Sequence, residues 1–450
     1  MRSELRRWFE SSRVPRYTSY PTAPQFGPAV DAARHAAWLA AVPVEGPVSL
    51  YLHVPFCRVL CWYCGCHTRL TRDQARIDGY RETLLQELAL VGGQLGGRPA
   101  LSHLHWGGGT PSVLGPAGLT RVMAAVAERF TVRADAEIAI ELDPRTVDDA
   151  LLDALAACGV NRASLGVQSF APEVQRAINR VQSYAATAAV VDGLRARGIA
   201  GINLDLLYGL PHQTVADCLD TVEQAARLRP DRVAVFGYAH VPDFKRQQRL
   251  IDTAALPDAG ARVAQYEAIG ARLEALGYQA VGLDHFALPD DPLARAAARG
   301  GLRRNFQGYT TDTAPVLIGL GASSISSFPQ GYAQNLVDLR GWCQAVQAGR
   351  LPTARGIELS GHDRLARTLI EEIMCQGEVD LAAVARHHAV PLAACEPDPG
   401  RFADLERLGV VQREGSRIVV APDCRPLLRV AAAAFDRYLD PAGMRHAAAI

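Results

Sequence analysis

The chain has 450 residues, 49% of them hydrophobic, and its formal net charge at pH 7 is zero. This length supports two or three domains with large buried cores, and the neutral charge argues against bulk binding to nucleic acid or to an anionic membrane. Because the sequence contains neither a signal peptide nor a run of about 18 uninterrupted apolar residues, it predicts a cytoplasmic protein without a membrane span.

Residues 1–46 precede the first predicted strand and show little helical or strand periodicity. They contain the run RYTSYPT at residues 16–22. We therefore predict an N-terminal arm that lies outside the main domain.

Short apolar runs alternate with longer helical patterns through residues 47–255, which is typical of repeated βα units with a parallel sheet. Six strands are predicted, at residues 49–54, 102–106, 137–142, 162–167, 202–208 and 233–239. Six units are too few for a closed eight-stranded barrel. The sequence therefore predicts an α/β fold built on a partly open (β/α)6 barrel, with a cleft that can admit a large ligand.

Four cysteines, Cys57, Cys61, Cys64 and Cys66, follow the first predicted strand within ten residues. Thiolates suit iron-sulfur clusters and zinc, and this spacing lets one short loop surround a metal centre. Zinc sites usually divide their ligands into two separated pairs, and simple ferredoxins use other spacings. We therefore predict an iron-sulfur centre in an active-site loop, with structural zinc as the alternative.

The other six cysteines are Cys158, Cys218, Cys343, Cys375, Cys395 and Cys424. Ten cysteines in 450 residues are too sparse for a disulfide framework, and a reducing compartment keeps them as thiols. We predict that all six are packing residues.

Polar or glycine-rich positions mark the ends of the other predicted strands. Residues 107–110 follow the second strand, Glu141 ends the third, Gln168 follows the fourth and Asp205 lies in the fifth. The carboxyl ends of parallel barrel strands meet at one rim, where functional groups collect. Taken singly, the glycine run is also consistent with an ordinary turn, and the charged residues are also consistent with salt bridges at the rim.

Residues 256–359 contain further strand and loop patterns, at 277–286 and 302–327, and we predict that they extend the barrel and complete the active site. Residues 360–450 form a mostly helical C-terminal domain in which helices precede a hairpin that turns at Gly415. This order resembles a winged helix. Since the chain has no net charge, a lid or docking role is favoured over DNA binding.

The spacing Cys57-x3-Cys61-x2-Cys64 resembles the cluster motif of the radical S-adenosylmethionine enzymes. Within that superfamily the chain resembles the oxygen-independent coproporphyrinogen III oxidases over nearly its whole length. The shared motifs are RYTSYPT at 16–22, CGC at 64–66, HWGGGTP at 105–111, DLLYGLP at 205–211, YAH at 238–240, DHFA at 284–287 and NFQGYTT at 305–311. Any one of them is weak, but their occurrence together and in order is specific.

The resemblance implies that Cys57, Cys61 and Cys64 ligate a [4Fe-4S] cluster, that Cys66 does not, and that two molecules of S-adenosylmethionine bind. Positions matching contacts to the cluster-bound molecule are Tyr51, Gly108, Glu141 and Ile325. Positions matching contacts to the second molecule are Tyr63, Gly109, Thr110, Gln168, Arg180, Asp205 and Ala239. Carboxylates can bond ribose hydroxyls or an ammonium group, arginine can pair with a carboxylate, and glycine lets backbone approach a ligand. No side chain is assigned as a general acid or base.

The implied activity is anaerobic oxidative decarboxylation of two propionates of coproporphyrinogen III to vinyl groups, which gives protoporphyrinogen IX for haem and porphyrin biosynthesis. A 5'-deoxyadenosyl radical from S-adenosylmethionine would start it. The implied partners are the substrate, an unidentified reductant and an unidentified electron acceptor, with the enzyme a monomer. Candidate side chains for the propionates are Arg16, Arg249, Arg303 and Arg304, with Lys245 and Arg246 as alternatives; each taken singly is also consistent with ordinary solvated charge.

Two alternatives within the superfamily stay open. Haem-trafficking relatives typically have an aromatic residue where Cys66 stands and lack the motif at 305–311, so both features favour the oxidase. Haem-degrading methyltransferases are separated less clearly, by the N-terminal arm and the full length. Small departures from the oxidase pattern, Arg58-Val59, Tyr63 and Ser323 to Ser326, remove no proposed ligand.

Overall fold

The structure is a computed structural model that describes residues 13–439, so residues 1–12 of the predicted arm and 440–450 of the predicted C-terminal domain lie outside it. The helices are α1 (Ala32–Ala40), α2 (Gln74–Gln94), α3 (Gly115–Arg129), α4 (Asp149–Ala157), α5 (Pro172–Ala177), α6 (Tyr184–Ala196), α7 (Val215–Arg227), α8 (Ala259–Ala275), α9 (Pro292–Ala298), α10 (Leu339–Gln347), α11 (Gly361–Gln376), α12 (Leu381–His388), α13 (Pro399–Arg407) and α14 (Leu428–Ala432). None of these helices of the described chain combines the length and apolar character needed to cross a membrane.

The strands are β1 (Pro47–Val54), β2 (Phe56–Cys57), β3 (Arg69–Leu70), β4 (Ala100–Gly108), β5 (Thr131–Leu142), β6 (Arg162–Gln168), β7 (Gly201–Tyr208), β8 (Arg232–Gly237), β9 (Gln279–Val281), β10 (His285–Ala287), β11 (Arg303–Asn305), β12 (Gly308–Thr310), β13 (Val316–Leu320), β14 (Ile325–Phe328), β15 (Gly331–Asn335), β16 (Thr353–Glu358), β17 (Glu378–Asp380), β18 (Val411–Glu414) and β19 (Arg417–Val420). Within residues 13–439, twelve of them form one sheet in the order β16-β15-β14-β13-β1-β4-β5-β6-β7-β8-β10-β9. The six predicted strands are β1 and β4 to β8, so that prediction is confirmed.

The centre of the sheet is parallel from β13 through β1 and β4 to β8. Antiparallel strands extend both edges, β14 to β16 beside β13 and then β10 and β9 beside β8. Because β16 and β9 stand at opposite ends of the order and pair with no further strand of the described chain, the barrel is partly open. The predicted fold class is confirmed, with β13 as a seventh parallel strand.

The sheet directs polar side chains inward because its strands alternate. In β7 the buried residues Ile202, Leu204 and Leu206 alternate with the half-buried Asn203 and Asp205. The leucine and isoleucine side chains join the main apolar core, which includes side chains of the surrounding helices. The opposite face of the strand therefore presents its amide and carboxylate to the barrel interior.

Residues 1–46 show little helical periodicity in the sequence, yet the structure forms helix α1 within them. Asp31 caps this helix by accepting a hydrogen bond from the backbone nitrogen of Arg34 at 2.9 Å. His35, Trp38 and Leu39 are buried at a three- and four-residue spacing. Nine residues give too short an apolar period to be distinguished in a sequence, so packing rather than local pattern reveals the helix.

A second apolar core forms around α11 to α14 and also contains Val14, Tyr17 and Tyr20 of the arm. The three-stranded sheet β17-β19-β18 completes this region, and its hairpin turns at Gly415, whose φ is +64°. The order of helices followed by a hairpin agrees with the predicted winged-helix-like pattern. The arm and the C-terminal region thus share one core.

The six cysteines outside the loop are reduced thiols that pack against apolar neighbours, as predicted. Cys218, Cys375, Cys395 and Cys424 are buried in the apolar clusters. Cys158 and Cys343 are half-buried at the edge of the main core.

Candidate active site

The cysteine loop, residues 57–66, begins at the end of β2, and hydrogen-bond donors surround its sulfurs. The Cys57 Sγ lies 3.2 Å from Thr68 Oγ1 and accepts from Thr110 Oγ1 at 3.4 Å. The Cys64 Sγ accepts from the backbone nitrogen of Cys66 at 3.4 Å. Burial raises the pKa of the Cys57 thiol, while a hydrogen bond from the Cys66 side chain lowers the pKa of Cys64 to about 7. Such donors favour the thiolate form that binds metal.

Two arginines lie beside Cys61, the remaining predicted ligand. Arg145 Nη2 and Arg180 Nη1 donate to the Cys61 Sγ at 3.6 and 3.5 Å. Both also bind Asp143, Arg145 at 2.6 Å and Arg180 at 3.4 Å. Burial opposes the ionisation of Asp143, but the hydrogen bond from Arg145 and the charge of Arg180 lower its pKa. Two guanidiniums and one carboxylate leave net positive charge beside this sulfur, which stabilises an anionic ligand.

Asp143 and Arg145 were not predicted from the sequence. They follow β5 directly, in the same position relative to their strand as the other rim residues. A polar pair just after a buried strand was the available signal.

A short 3₁₀ segment, Arg246–Leu250, and the residue before it hold the cysteine loop from the opposite side. Its donors to loop carbonyls are Lys245 to Cys66 at 2.9 Å, Gln247 to Cys64 at 2.6 Å and Gln248 to Tyr63 at 2.8 Å. Lys245, predicted as an alternative partner of the propionates, therefore contacts the loop backbone.

A cavity of about 600 Å³ opens at the carboxyl ends of the parallel strands, and we call it the main cavity. Twelve of the fourteen predicted site residues line it: Cys57, Cys61, Tyr63, Cys64, Gly108, Gly109, Thr110, Glu141, Gln168, Arg180, Asp205 and Ala239. The fold therefore gathers into one chamber residues that come from six strands, β2 and β4 to β8, and from the loops that follow them.

Tyr51 and Ile325 are the two predicted residues outside this lining. Tyr51 stacks on His105 with ring centroids 6.0 Å apart. A Cβ built on Gly107 would lie 3.0 Å from Tyr51 Oη and 2.8 Å from Glu141 Oε1, so Tyr51 stands close behind the glutamate. Ile325 begins β14 and is half-buried beside a small apolar cluster.

The glycines after β4 are required by close approach. A Cβ on Gly109 would meet Thr68 Oγ1 at 2.5 Å, and one on Gly108, whose φ is +116°, would meet the His53 ring at 2.7 Å. The backbone nitrogen of Gly108 donates to Glu141 Oε2 at 3.2 Å. The glycine run thus lets β4 pass against the cysteine loop while it positions a carboxylate on the cavity wall.

Asp205 lies in a polar group inside the barrel. Its oxygens accept from Ser164 Oγ at 2.9 Å and from Asn203 Nδ2 at 2.8 Å. Burial raises the pKa of Asp205 to about 6. The buried Asn203 Oδ1 has no hydrogen-bond partner among the described residues, so an unused hydrogen-bond acceptor lies next to the carboxylate. A ligand with hydroxyl or amino groups fits this corner.

The residues present fit an iron-sulfur cluster and S-adenosylmethionine. The three thiols each have donors at the sulfur, and they line one wall of a chamber that also carries three carboxylates, those of Glu141, Asp143 and Asp205. No group of three or more His, Cys, Asp or Glu among residues 13–439 is spaced to hold a single metal ion. In a four-iron cluster each cysteine binds a different iron, so its ligands stand farther apart than those of one ion.

Comparison with known proteins agrees with this arrangement. Residues 51–225 match the family model of the Radical SAM superfamily. The chain is 52% identical over 450 residues to an oxygen-independent coproporphyrinogen III oxidase of Bradyrhizobium diazoefficiens, covering 100% of each chain. It is 41% identical over 426 residues to the protein of that name from Escherichia coli, covering 94% of this chain and 93% of the relative. A solved structure of coproporphyrinogen III oxidase from Escherichia coli, described as a radical SAM enzyme, superposes with a TM-score of 0.90 at 39% identity, covering 95% of this chain and 100% of that one.

Proposed function

This chain belongs to the oxygen-independent coproporphyrinogen III oxidases of the radical SAM superfamily, and from that membership we propose that it converts coproporphyrinogen III to protoporphyrinogen IX. The reaction is the oxidative decarboxylation of two propionates to vinyl groups, a step of haem and porphyrin biosynthesis that uses no oxygen. The observation that carries the assignment is 52% identity across the full length of both chains. It favours the oxidase over the haem-trafficking and methyltransferase alternatives.

Cys57, Cys61 and Cys64 would hold the [4Fe-4S] cluster. When bound, the cluster and S-adenosylmethionine supply one electron and a 5'-deoxyadenosyl radical that takes a hydrogen atom from the β-carbon of a propionate. The donors at each sulfur stabilise the thiolates, and the arginines beside Cys61 offset their charge. Cys66 serves through its backbone nitrogen and side chain, both of which bond Cys64.

The residues proposed for the cluster-bound S-adenosylmethionine are Tyr51, Gly108, Glu141 and Ile325. Those proposed for the second molecule are Tyr63, Gly109, Thr110, Gln168, Arg180, Asp205 and Ala239. Glu141 and Asp205 can accept from ribose hydroxyls or an ammonium group, and Arg180 can donate to a carboxylate. The glycine backbone lets the ligand approach the wall.

The main cavity also protects reactive species from water. Its lining includes the apolar side chains of Leu142, Leu207, Phe236 and Val241. These walls keep solvent from a substrate radical, so the radical can lose carbon dioxide and one electron instead of reacting with solvent.

The remaining parts of the proposal concern partners and compartment. Each decarboxylation takes one electron from a reductant at its start and gives one electron to an acceptor when carbon dioxide leaves the substrate. Both partners are therefore required. We propose that the protein is a monomer. We also propose that it acts in the cytoplasm, in agreement with its sparse cysteines, which are all reduced thiols.

One anaerobic experiment tests the function. The protein is reconstituted with iron and sulfide, then given S-adenosylmethionine, a reductant and coproporphyrinogen III. We expect 5'-deoxyadenosine together with a vinyl-bearing porphyrin, measured by chromatography. Deoxyadenosine without porphyrin turnover would indicate another radical reaction, and a tight stoichiometric haem complex without turnover would favour haem trafficking.

Cys61→Ser tests the ligand assignment, with Cys158→Ser as a matched control. We expect Cys61→Ser to lose at least about a hundredfold in activity, together with iron content and cluster absorption, because a metal ligand is removed. Cys158 is half-buried, and its thiol lies 3.8 Å from Thr120 Oγ1, so its variant should behave as wild type. Full activity in Cys61→Ser would contradict the assignment.

A further inference from the structure

A smaller cavity of about 70 Å³ adjoins the main cavity, and we call it the side cavity. The two share lining residues from the end of β8 and from the arm: Arg16, Phe236, Gly237, Tyr238 and Ala239. A group can therefore reach into the side cavity while it remains attached to a molecule in the main one.

The walls of the side cavity are largely aromatic or apolar, and they include Tyr208, Val235, Tyr266, Leu283 and Pro426. Its charged lining consists of three arginines, Arg16, Arg304 and Arg429, and one acid among the described residues, Asp284. That carboxylate already has a partner, since it lies 2.7 Å from His285 Nδ1. The described lining of the cavity therefore carries more positive than negative charge.

Two hydrogen bonds and a ring contact orient the guanidinium of Arg304, and one of its three nitrogens has no hydrogen-bond partner among the described residues. Its Nε donates to the carbonyl of Tyr17 at 3.3 Å and its Nη2 to the carbonyl of Arg16 at 3.4 Å. Its planar face lies over the Tyr309 ring, 4.3 Å from the centroid. Its Nη1 is buried and has no hydrogen-bond partner among residues 13–439. A buried arginine nitrogen without a partner is costly, so a ligand that accepts a hydrogen bond is favoured there.

The three arginines act on one another electrostatically. Arg429 is 5% exposed. Burial, followed by the charge of Arg16 and a further contribution from Arg304, lowers the pKa of Arg429 to about 10. Like charges repel, and a bound anion would relieve that repulsion.

A neighbouring cavity of about 370 Å³ differs from the side cavity in the charge of its lining. It is lined by Arg303, Arg304 and Arg367 but also by Glu371 and Asp312. Arg303 Nη1 lies 3.6 Å from Glu371 Oε2. Glu371 thus already faces an arginine there, and the described lining has two acids for its three arginines, against one acid for three in the side cavity.

We infer that the side cavity binds one propionate carboxylate of the tetrapyrrole substrate through Arg16, Arg304 and Arg429. This inference rests on the proposed function and adds the site that orients the substrate. Its volume has room for several water-sized groups, which suits a carboxyethyl side chain and excludes the macrocycle. The ring therefore stays in the main cavity, beside the cysteine loop.

The propionate held there is an anchor and not the one being oxidised. Charge-assisted hydrogen bonds from guanidinium groups stabilise a carboxylate in its ground state. Loss of carbon dioxide from that group would have to break them, which raises the barrier. The reacting propionate therefore lies in the main cavity while another one occupies the arginines.

Equilibrium binding tests the anchor. Reconstituted enzyme without reductant is mixed anaerobically with coproporphyrinogen III or with its tetramethyl ester, and the retained ligand is measured after ultrafiltration and oxidation to the fluorescent porphyrin. The variants are Arg16→Met and Arg429→Met. Arg350→Met is the matched control, because Arg350 is exposed and does not line the side cavity. Circular dichroism checks that each variant is folded.

We expect Arg16→Met and Arg429→Met each to bind the acid about tenfold more weakly than wild type and to bind the ester almost unchanged, because only the acid carries the anion. Arg350→Met should bind both ligands as wild type does. If Arg429→Met does not fold, Arg16→Met decides alone, since its side chain is exposed. If folded Arg16→Met binds coproporphyrinogen III within about twofold of the wild-type affinity, the propionate anchor would be overturned while the proposed substrate would stand. Retention of neither ligand by wild type would overturn the proposed substrate as well.

Discussion

Asp205 shows how one carboxylate inside the barrel can link ligand binding to pH. Its ordinary pKa of 3.8 is raised by burial to about 6 in the folded chain. Folding therefore makes the acid hold its proton more tightly, and this residue's contribution to stability is lost as the pH rises from about 4 through 6. Ionised Asp205 is then an unfavourable buried charge, which a ligand that donates hydrogen bonds would compensate.

Affinity for the second S-adenosylmethionine should consequently rise with pH. The ionised fraction of Asp205 increases about tenfold between pH 5 and pH 7, and we expect a similar gain in affinity, measured by titration calorimetry. Asp205→Asn should bind more weakly at pH 7 and lose this dependence. Asp153→Asn is the control, because Asp153 is an exposed partner of Arg197. An unchanged pH dependence in Asp205→Asn would contradict the assignment.

The cysteine loop owes its conformation to neighbouring elements as much as to its own sequence. The glycine run after β4 passes close to it on one side, and Arg246–Leu250 binds its carbonyls on the other. Gln248 is the central contact of that segment, since it is 1% exposed and bonds the Tyr63 carbonyl, the Ala239 carbonyl and the Val241 nitrogen. Cluster retention should therefore depend on a side chain that does not touch the cluster.

Gln248→Met should weaken this support while it preserves side-chain length. Loss of three buried hydrogen bonds should cost about 2–4 kcal/mol of unfolding free energy, because their backbone partners stay buried without a replacement. We expect a lower Tm and faster loss of iron during gel filtration, both relative to wild type. Gln344→Met, at an exposed position of α10, is the control. Wild-type iron retention in Gln248→Met would show that the loop holds its conformation without this segment.

The two ends of the described chain come together over the barrel. Val14, Tyr17 and Tyr20 of the arm belong to the same apolar core as α11 to α14. Tyr17 Oη donates to Asp436 Oδ2 at 2.8 Å, and the backbone of Arg437 donates to Tyr20 Oη at 3.0 Å. This joint core also places Arg16 and Arg429 at the side cavity, so the architecture of the ends shapes the proposed propionate site.

Tyr17→Phe removes one hydrogen bond from that joint core. The buried carboxylate of Asp436 loses a donor, which should cost about 1–3 kcal/mol of unfolding free energy. We expect a lower Tm and faster proteolysis of the arm. Tyr184→Phe is the control, because Tyr184 is half-buried and packs at the edge of the main core. Equal Tm values for both variants would indicate that the arm is held by apolar contacts alone.

Much of the fold follows from local patterns. The six parallel strands were predicted correctly, because apolar alternation and turn residues are properties of neighbouring positions. The cysteines proposed as cluster ligands could be picked out because they fall in one short loop, and the ordered motifs placed the glycines and carboxylates at strand ends. Helix α1 was missed, since its apolar pattern covers only nine residues.

Contacts between distant segments were decided by packing. Asp143 and Arg145 meet Cys61, Gln248 meets Tyr63, and β13 pairs with β1 only once the sheet has formed. Arg304 reaches the carbonyl of Arg16 across 288 positions of sequence. A charge cluster assembled over such separations leaves no periodicity in the chain, because which side chains meet depends on how the arm and C-terminal region fold back on the barrel. The sequence therefore predicted the chemistry of short segments, while the arginine-lined side cavity could be found only in the tertiary structure.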